Sequence, residues 1–201
     1  MPFRDYLRQR KLAFALKEVR DSEKSLLDIA FDYGVCHELG VDDESFTKAL
    51  ISYEPLPHRL RLIGSLDGVR YYDDSISTIC DTAIQALKSI PSPGTILIGG
   101  MDRGIDYSEL IEYLSVDPIP HIILMEATGK RIYKEIKDSY PAFHDPDRLH
   151  LVEHLSDAVE LAKKVTPRGS ACILSPAAAS YGIFKNFEER GDVFTKLALE
   201  K

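Results

Sequence analysis

"GTILIGGMDRGIDYSELIEYL", residues 94–114, carries the pattern on which the reading of the chain turns. The apolar run Ile96–Ile98 ends in Gly99-Gly100. A polar loop follows, and then Leu110, Ile111 and Leu114 recur at helical spacing. A continuous apolar strand that ends in glycine and returns through a helix is the repeating unit of a parallel sheet covered on both faces.

The same alternation extends in both directions. "HIILMEA" (121–127), "LHLVE" (149–153) and "SACILS" (170–175) read as strands. "CDTAIQALKSI" (80–90), "KRIYKEIKDSY" (130–140), "LSDAVELAKKV" (155–165) and a last stretch from about residue 183 read as helices. "RLRLIGSLDGVRYYDD" (59–74) gives two short strands around Asp67-Gly68, a hairpin signal. Residues 56–201 are therefore predicted to form a Rossmann-like α/β domain with a mostly parallel sheet and helices on both faces. Residues 1–55 have another texture. Phe3, Leu7, Leu12, Leu16 and Val19 recur at about helical spacing, residues 24–39 continue in that style, and a helix with an acidic first turn ends at Pro55 and Pro57. This helical segment is expected to be a separate piece.

Composition narrows the function. The net charge of −7 argues against general binding to nucleic acid or acidic membranes. No apolar run reaches the roughly 18 residues of a membrane helix, and the charged start lacks a secretory core, so the cytoplasm is the expected location. Cys36, Cys80 and Cys172 have no metal-ligand spacing and read as structural thiols. His150 and His154 stand at H-x-x-x-H spacing, but they flank the strand-to-helix turn "HLVEH", which need only be solvated, and no H-E-x-x-H occurs, so no metal site is expected. No G-x-S-x-G supports serine hydrolase chemistry.

In open α/β sheets ligands gather at the C-terminal ends of strands. Three segments fall there. In "YYDDSISTICDTAIQAL" (71–87), Asp73 and Asp74 end a strand, and Ser75, Ser77 and Thr78 precede a helix. After Gly99-Gly100 comes Arg103. This is no Walker A loop, because Ile105-Asp106 stands where Lys-Ser/Thr is required, and Met101 occupies the second glycine position of G-x-G-x-x-G. In "LSPAAASYGIFKNFEERG" (174–191), a buried strand delivers Ser175 and Pro176, then Ala177–Ala179 and Ser180 ahead of the last helix. Each segment has two readings. The hydroxyls are helix caps and Arg103 is solvated, or they converge with Arg103 on an anion. Phe184 and Phe187 read as packing residues rather than ligand contacts, since aromatics near helical spacing usually belong to a core.

In this order the segments resemble the C-terminal domain of the Mur ligases, and within that family the members that add glutamate. The likeness covers about residues 56–201, and Leu-Ser-Pro-Ala followed by Phe-Lys-Asn-Phe-Glu-x-Arg-Gly is its specific part. Residues 27–55 resemble, more weakly, the last helices of the family's central ATP-binding domain. The resemblance implies ATP-dependent ligation of glutamate to UDP-MurNAc-L-Ala in peptidoglycan biosynthesis, with Mg²⁺. It implies glutamate contacts from Thr78, Arg103, Ser180, Tyr181 and Phe187, and nucleotide contacts from His58, Arg59 and Asp74. Arg103 stands where the family usually has a lysine.

There are departures. The family's Asp-Ser-Lys-Ala-Thr-Asn is here Asp74-Ser75-Ile76-Ser77-Thr78-Ile79, so a cation and an amide are replaced. "SEKSLLD" (22–28) stands where Gly-x-His-Asn-x-x-Asn is usual. The Walker A loop, the catalytic lysine of the central domain and the UDP-binding N-terminal domain have no counterpart in these 201 residues. The expectation is a C-terminal portion that is inactive alone, with no catalytic residue of its own and no tightly bound cofactor. Two other readings stand beside it: a stand-alone amino-acid or nucleotide-binding module, and a subunit completing a site with a separate P-loop chain.

Overall fold

The computed structural model describes residues 33–52, 56–140, 143 and 147–200. The chain divides into two compact units, 1–54 and 55–201. In the first unit, residues 33–38 are helical, and helix α1 spans Asp43–Ser52. Asp42 holds its start by accepting from the Ser45 backbone N–H (2.9 Å) and hydroxyl (2.8 Å), the expected chemistry of an acidic N-terminus. The helical readings over 1–20 and 24–32, the "SEKSLLD" segment and the stop at Pro55 lie outside the described residues.

The second unit contains β1 (Arg61–Leu66), β2 (Val69–Asp73), α2 (Cys80–Ser89), β3 (Pro93–Gly99), α3 (Ser108–Val116), β4 (His121–Met125), α4 (Glu126–Ser139), β5 (Leu149–Val152), α5 (Leu155–Val165), β6 (Ala171–Leu174) and α6 (Phe187–Leu199). The six strands run in the order β1-β2-β6-β3-β4-β5. β1 pairs antiparallel with β2, and every other pairing is parallel. The α/β architecture read from the sequence is the one observed. The hairpin at Asp67-Gly68 is present, and both residues have positive φ (53° and 84°), the backbone of a tight hairpin turn.

Period-two alternation explains why both faces are covered. Ile96, Ile98, Ile122, Leu124 and Ile173 point to one side and pack with α2, α3 and α4 through Ala83, Ile84, Leu87, Leu110, Ile111, Leu114, Ile132 and Ile136. Leu97, Ile123, Met125, Cys172 and Leu174 point to the other and pack with α5 and α6 through Leu155, Ala158, Val159, Ala162, Phe194 and Ala198. Each fully buried aliphatic side chain contributes roughly 1.5–3 kcal/mol. Burial also pushes the Cys172 thiol up to about 12, which suits a structural, unreactive cysteine.

Because β6 lies between β2 and β3, the chain leaves the sheet at three adjacent points along one edge. The loops after Asp73, Leu174 and Gly99 are therefore neighbours in space, although about 100 residues separate the first from the second.

The division of the chain at residue 54 predicts that limited proteolysis trims the chain near residue 50 and leaves the α/β unit intact. Early cleavage within residues 90–180, with residues 1–54 resistant, would contradict this.

Candidate functional site at the C-terminal edge of the sheet

The three loops are bound to one another through their backbones. The Asp74 N–H donates to the Leu174 carbonyl (2.8 Å), the Gly99 N–H to that of Pro176 (2.9 Å) and the Met101 N–H to that of Ala179 (2.8 Å). Small residues make this possible. Ala177, Ala178 and Ala179 are buried, and a Cβ on Gly100 would come within 2.4 Å of the Ala179 carbonyl oxygen. What approaches the alanines is thus the protein's own β3 loop. Ala177 sits at a left-handed φ of 51°, and the buried Tyr107 hydroxyl donates to its carbonyl (3.0 Å).

Beneath the loops lies Arg190, fully buried. Its Nε donates to the Ser75 hydroxyl (3.0 Å), Nη2 to the Ser75 carbonyl (2.7 Å) and Nη1 to the Ala178 carbonyl (3.1 Å). The Ser75 hydroxyl in turn donates to the Phe187 carbonyl (2.7 Å), fixing the start of α6 to the β2 loop. Burial pulls the guanidinium down to about 10, opposed by Glu126 and Asp73, so it stays charged at neutral pH. Asp73 accepts from the Ser75 N–H (2.9 Å), and its other oxygen lies 2.7 Å from His58 Nδ1. Gly191 is required beside this pair, because a Cβ there would meet His58 Nδ1 at 2.1 Å. Arg190 is the arginine of the Phe-Lys-Asn-Phe-Glu-x-Arg-Gly motif, but the sequence reading gives it no role. Its signal was a charge at i, i+4, i+8 register with Phe194 and Ala198, on the apolar stripe of α6.

The predicted residues distribute as follows. Arg103 is exposed, and its Nη2 donates to the Thr78 carbonyl (2.9 Å), which joins the β3 and β2 loops directly. Ser180 is buried and follows Ala179, which bridges Met101, two residues from Arg103. Phe187 is half-buried and meets the His58 ring edge-on, with centroids 6.1 Å apart. Asp74 is buried, with its oxygens accepting from the Leu60 N–H (3.1 Å) and the Ser175 hydroxyl (2.7 Å). Arg59 and Tyr181 are exposed, and neither side chain makes a hydrogen bond among the described residues.

Two local expectations are corrected. The last helix starts at Phe187 rather than near Ile183, and its cap is Asn186, whose side chain accepts from the Glu189 N–H (2.9 Å). Ser180 lies outside that helix, separated from it by a turn through Gly182, whose φ is 93°. Nor does Thr78 cap α2. The N-cap residue is Ile79, with no side-chain cap, while Ser77 Oγ lies 2.7 Å from Thr82 Oγ1.

No protein-family model matches the chain. Over 196 residues it is 29% identical to the UDP-N-acetylmuramoylalanine–D-glutamate ligase of Caldanaerobacter subterraneus subsp. tengcongensis, covering 97% of this chain and 42% of that protein. It is 34% identical over 164 residues to the UDP-N-acetylmuramoyl-L-alanine–L-glutamate ligase of Xanthomonas oryzae pv. oryzae, covering 80% of this chain and 34% of that one. Among solved structures, the MurF ligase of Thermotoga maritima in complex with ADP superposes with a TM-score of 0.52 at 20% identity, over 86% of this chain and 38% of that one. That likeness is one of fold. The chain spans less than half the length of the curated relatives it matches.

Asp74 gives the site a measurable pH signature. Burial pushes its carboxyl up to about 6, against the pull of its bonds from Ser175 and Leu60. The folded chain therefore binds this proton more tightly than the unfolded chain, where Asp titrates near about 3.9. The stability linked to this proton is complete below about pH 4 and is lost as the pH rises through about 6, a change of about 3 kcal/mol. Asp74→Asn keeps an acceptor for Leu60 and a partner for the Ser175 hydroxyl but cannot titrate. Urea unfolding at pH 4 and pH 7.5 should show wild type losing stability relative to Asp74→Asn at the higher pH. An equal difference at both pH values would refute the assignment.

Proposed function

This chain belongs to the Mur ligase family, and we propose that it supplies the glutamate-holding domain for ATP-dependent addition of glutamate to UDP-MurNAc-L-Ala. The observation that carries the reading is the meeting of the Arg103, Thr78 and Ser180 loops at the C-terminal edge of the sheet, through the Arg103–Thr78 bond and the Met101–Ala179 bridge. A dianionic amino acid needs such a set: one cation, hydroxyl donors and unpaired helix N–H groups. Phe187 and the exposed Tyr181 flank that edge and are assigned to the glutamate contact.

In the proposed reaction a substrate carboxylate oxygen takes the γ-phosphoryl group of ATP, releasing ADP. The glutamate amino nitrogen attacks the resulting acyl phosphate, the amide C–N bond forms, inorganic phosphate leaves and the amine loses its proton. The part of this domain is to orient glutamate so that its amino group faces the acyl carbon. The phosphate loop and the UDP-sugar site are assigned to other parts of the enzyme, and residues 1–55 to the end of its ATP-binding domain. Arg59, exposed beside the braced pair His58–Asp73, is the nucleotide-side contact best placed to reach outward. Asp74 belongs to the same set by resemblance, and its inward bonds make it a brace for that loop. Among the described residues no group of three or more His, Cys, Asp and Glu side chains is arranged to hold a metal ion, so Mg²⁺ is assigned to other parts of the enzyme. The similar ligases include ones named for D- and for L-glutamate, so the reading specifies glutamate without its hand. Among the described residues no helix is long and apolar enough to cross a membrane, in keeping with work on soluble nucleotide substrates in the cytoplasm.

Titrating glutamate into the labelled chain should shift amide signals at residues 75–80, 99–104 and 178–187. Ser180→Ala and Arg103→Ala should each weaken binding by about tenfold or more, the equivalent of about 1.5–3 kcal/mol for a charge-assisted bond. Shifts scattered over the surface, or variants that bind like wild type, would sink the shared site. The chain alone should release no phosphate from ATP. Turnover that survives rigorous purification would overturn the assignment of the phosphate loop to another part of the enzyme.

A further inference from the structure

At the opposite edge of the sheet, where the strands begin, lies a cavity of about 320 Å³. It is bounded by Leu66, Asp67 and Val69 of the hairpin, and by Lys163, Lys164, Thr166 and Arg168 from the end of α5 and the loop into β6. Tyr71 forms its inner wall.

Three features set this cavity apart from an ordinary surface hollow. The first is charge. In a chain of net charge −7, three cations and one carboxylate line it. Lys164 is engaged by Glu160 (2.5 Å), and Lys163 spends one proton on the Glu200 carbonyl (2.6 Å). Arg168 makes no hydrogen bond or ion pair among the described residues, although its aliphatic stem is held against the Gly68 turn. The second feature is Tyr71. It is 99% buried, with a relative exposure of 1%, yet its hydroxyl has no hydrogen-bond partner among the described residues and it lines this cavity. Burial pushes the phenol up to about 12, so at neutral pH the group is an O–H donor rather than an anion. The rest of the side chain is buried while the hydroxyl oxygen itself is not among the buried, unpartnered atoms, so the O–H is the part that opens to the cavity and can donate there. The third is support. The floor is fixed by Thr166, whose hydroxyl donates to the Ala162 carbonyl (2.6 Å) and lies 2.8 Å from that of Thr95.

We propose that this cavity is a second binding site, distinct from the glutamate edge, for the phosphate group of a small molecule, held by Arg168 and Lys163 with the Tyr71 hydroxyl as the inner donor. A guanidinium and an ammonium on separate elements, with a neutral O–H behind them, supply donors to three oxygens of a tetrahedral anion, more than one carboxylate can accept from three directions. Thr166 already spends its proton within the protein and shapes the site without reading the ligand.

The probe is inorganic phosphate, titrated into the labelled full-length chain at constant ionic strength, with sodium chloride and sodium succinate as controls. Phosphate should give saturable shifts at residues 66–71 and 163–168. Arg168→Ala should weaken these about tenfold and Tyr71→Phe severalfold. Shifts at 75–80 and 99–104, where the glutamate edge also attracts anions, should persist in both variants. An equal response to chloride, a tighter response to succinate, or unchanged affinity in both variants would overturn the proposal.

Discussion

The arrangement of the C-terminal edge depends on one buried guanidinium. Arg190 reaches from α6 under the β2 and β6 loops and donates to Ser75 twice and to Ala178 once. Taking this charge from water costs several kcal/mol, and it is tolerated because each guanidinium nitrogen donates to an acceptor and Asp73 and Glu126 supply opposing charge. Removing one member of such a buried set costs about 3–5 kcal/mol, because the partners remain buried and unsatisfied. The loops that carry Thr78 and Ser180 therefore keep their spacing through a side chain whose hydrogen bonds go to neither residue. The same bonds place the Phe187 carbonyl on the Ser75 hydroxyl, so the start of α6 moves with the β2 loop.

Around this cation the acids are unequal. Asp73 is held by the Ser75 N–H and His58, while Asp74, one residue on, faces the Ser175 hydroxyl and the Leu60 N–H and is pushed up by burial. Alternation along a strand end sends the two side chains to opposite sides. Glu126 adds a further buried carboxyl at the end of β4, at a left-handed φ of 60° that usually favours glycine, with Oε1 unpartnered and its pKa raised by burial. Neighbouring acids thus do different work on the two sides of one sheet edge.

The fold was legible because its signals were local and redundant. Apolar runs of four or five residues, each followed by a helical period, leave little but a parallel sheet, and Asp67-Gly68 fixes the one antiparallel hairpin. That Arg103, Ser180 and Thr78 fall on one edge follows from the same logic of strand ends. Less legible was anything set by side-chain direction. Ser180 and Asn186 are both good caps by residue type. The turn at Gly182 settles the contest by starting the helix at Phe187. Asp74 has the residue type of a ligand contact, and only its register shows that it points inward. Arg190 was hidden because a basic residue on a terminal helix is usually solvated. Its partners lie on loops ending about 12 and 115 residues away in the chain.

The replaced residues of the β2 loop bear on the glutamate site proposed above. Where the family's pattern has a lysine and an asparagine, this chain has Ile76 and Ile79. Ile76 anchors the loop by donating its N–H to the His58 carbonyl (3.1 Å), and Ile79 gives α2 no side-chain cap. The first N–H groups of α2 therefore lack a side-chain acceptor, and a helix end in that state attracts negative charge. Across the gap, Arg103 reaches the Thr78 carbonyl at the mouth of the same helix. A fork-shaped guanidinium can spend one N–H on that carbonyl and still present others to a carboxylate, which a single ammonium does less well. With Ile76 and Ile79 in the β2 loop, Arg103, which stands where the family usually has a lysine, is the cation that remains at the mouth of this helix.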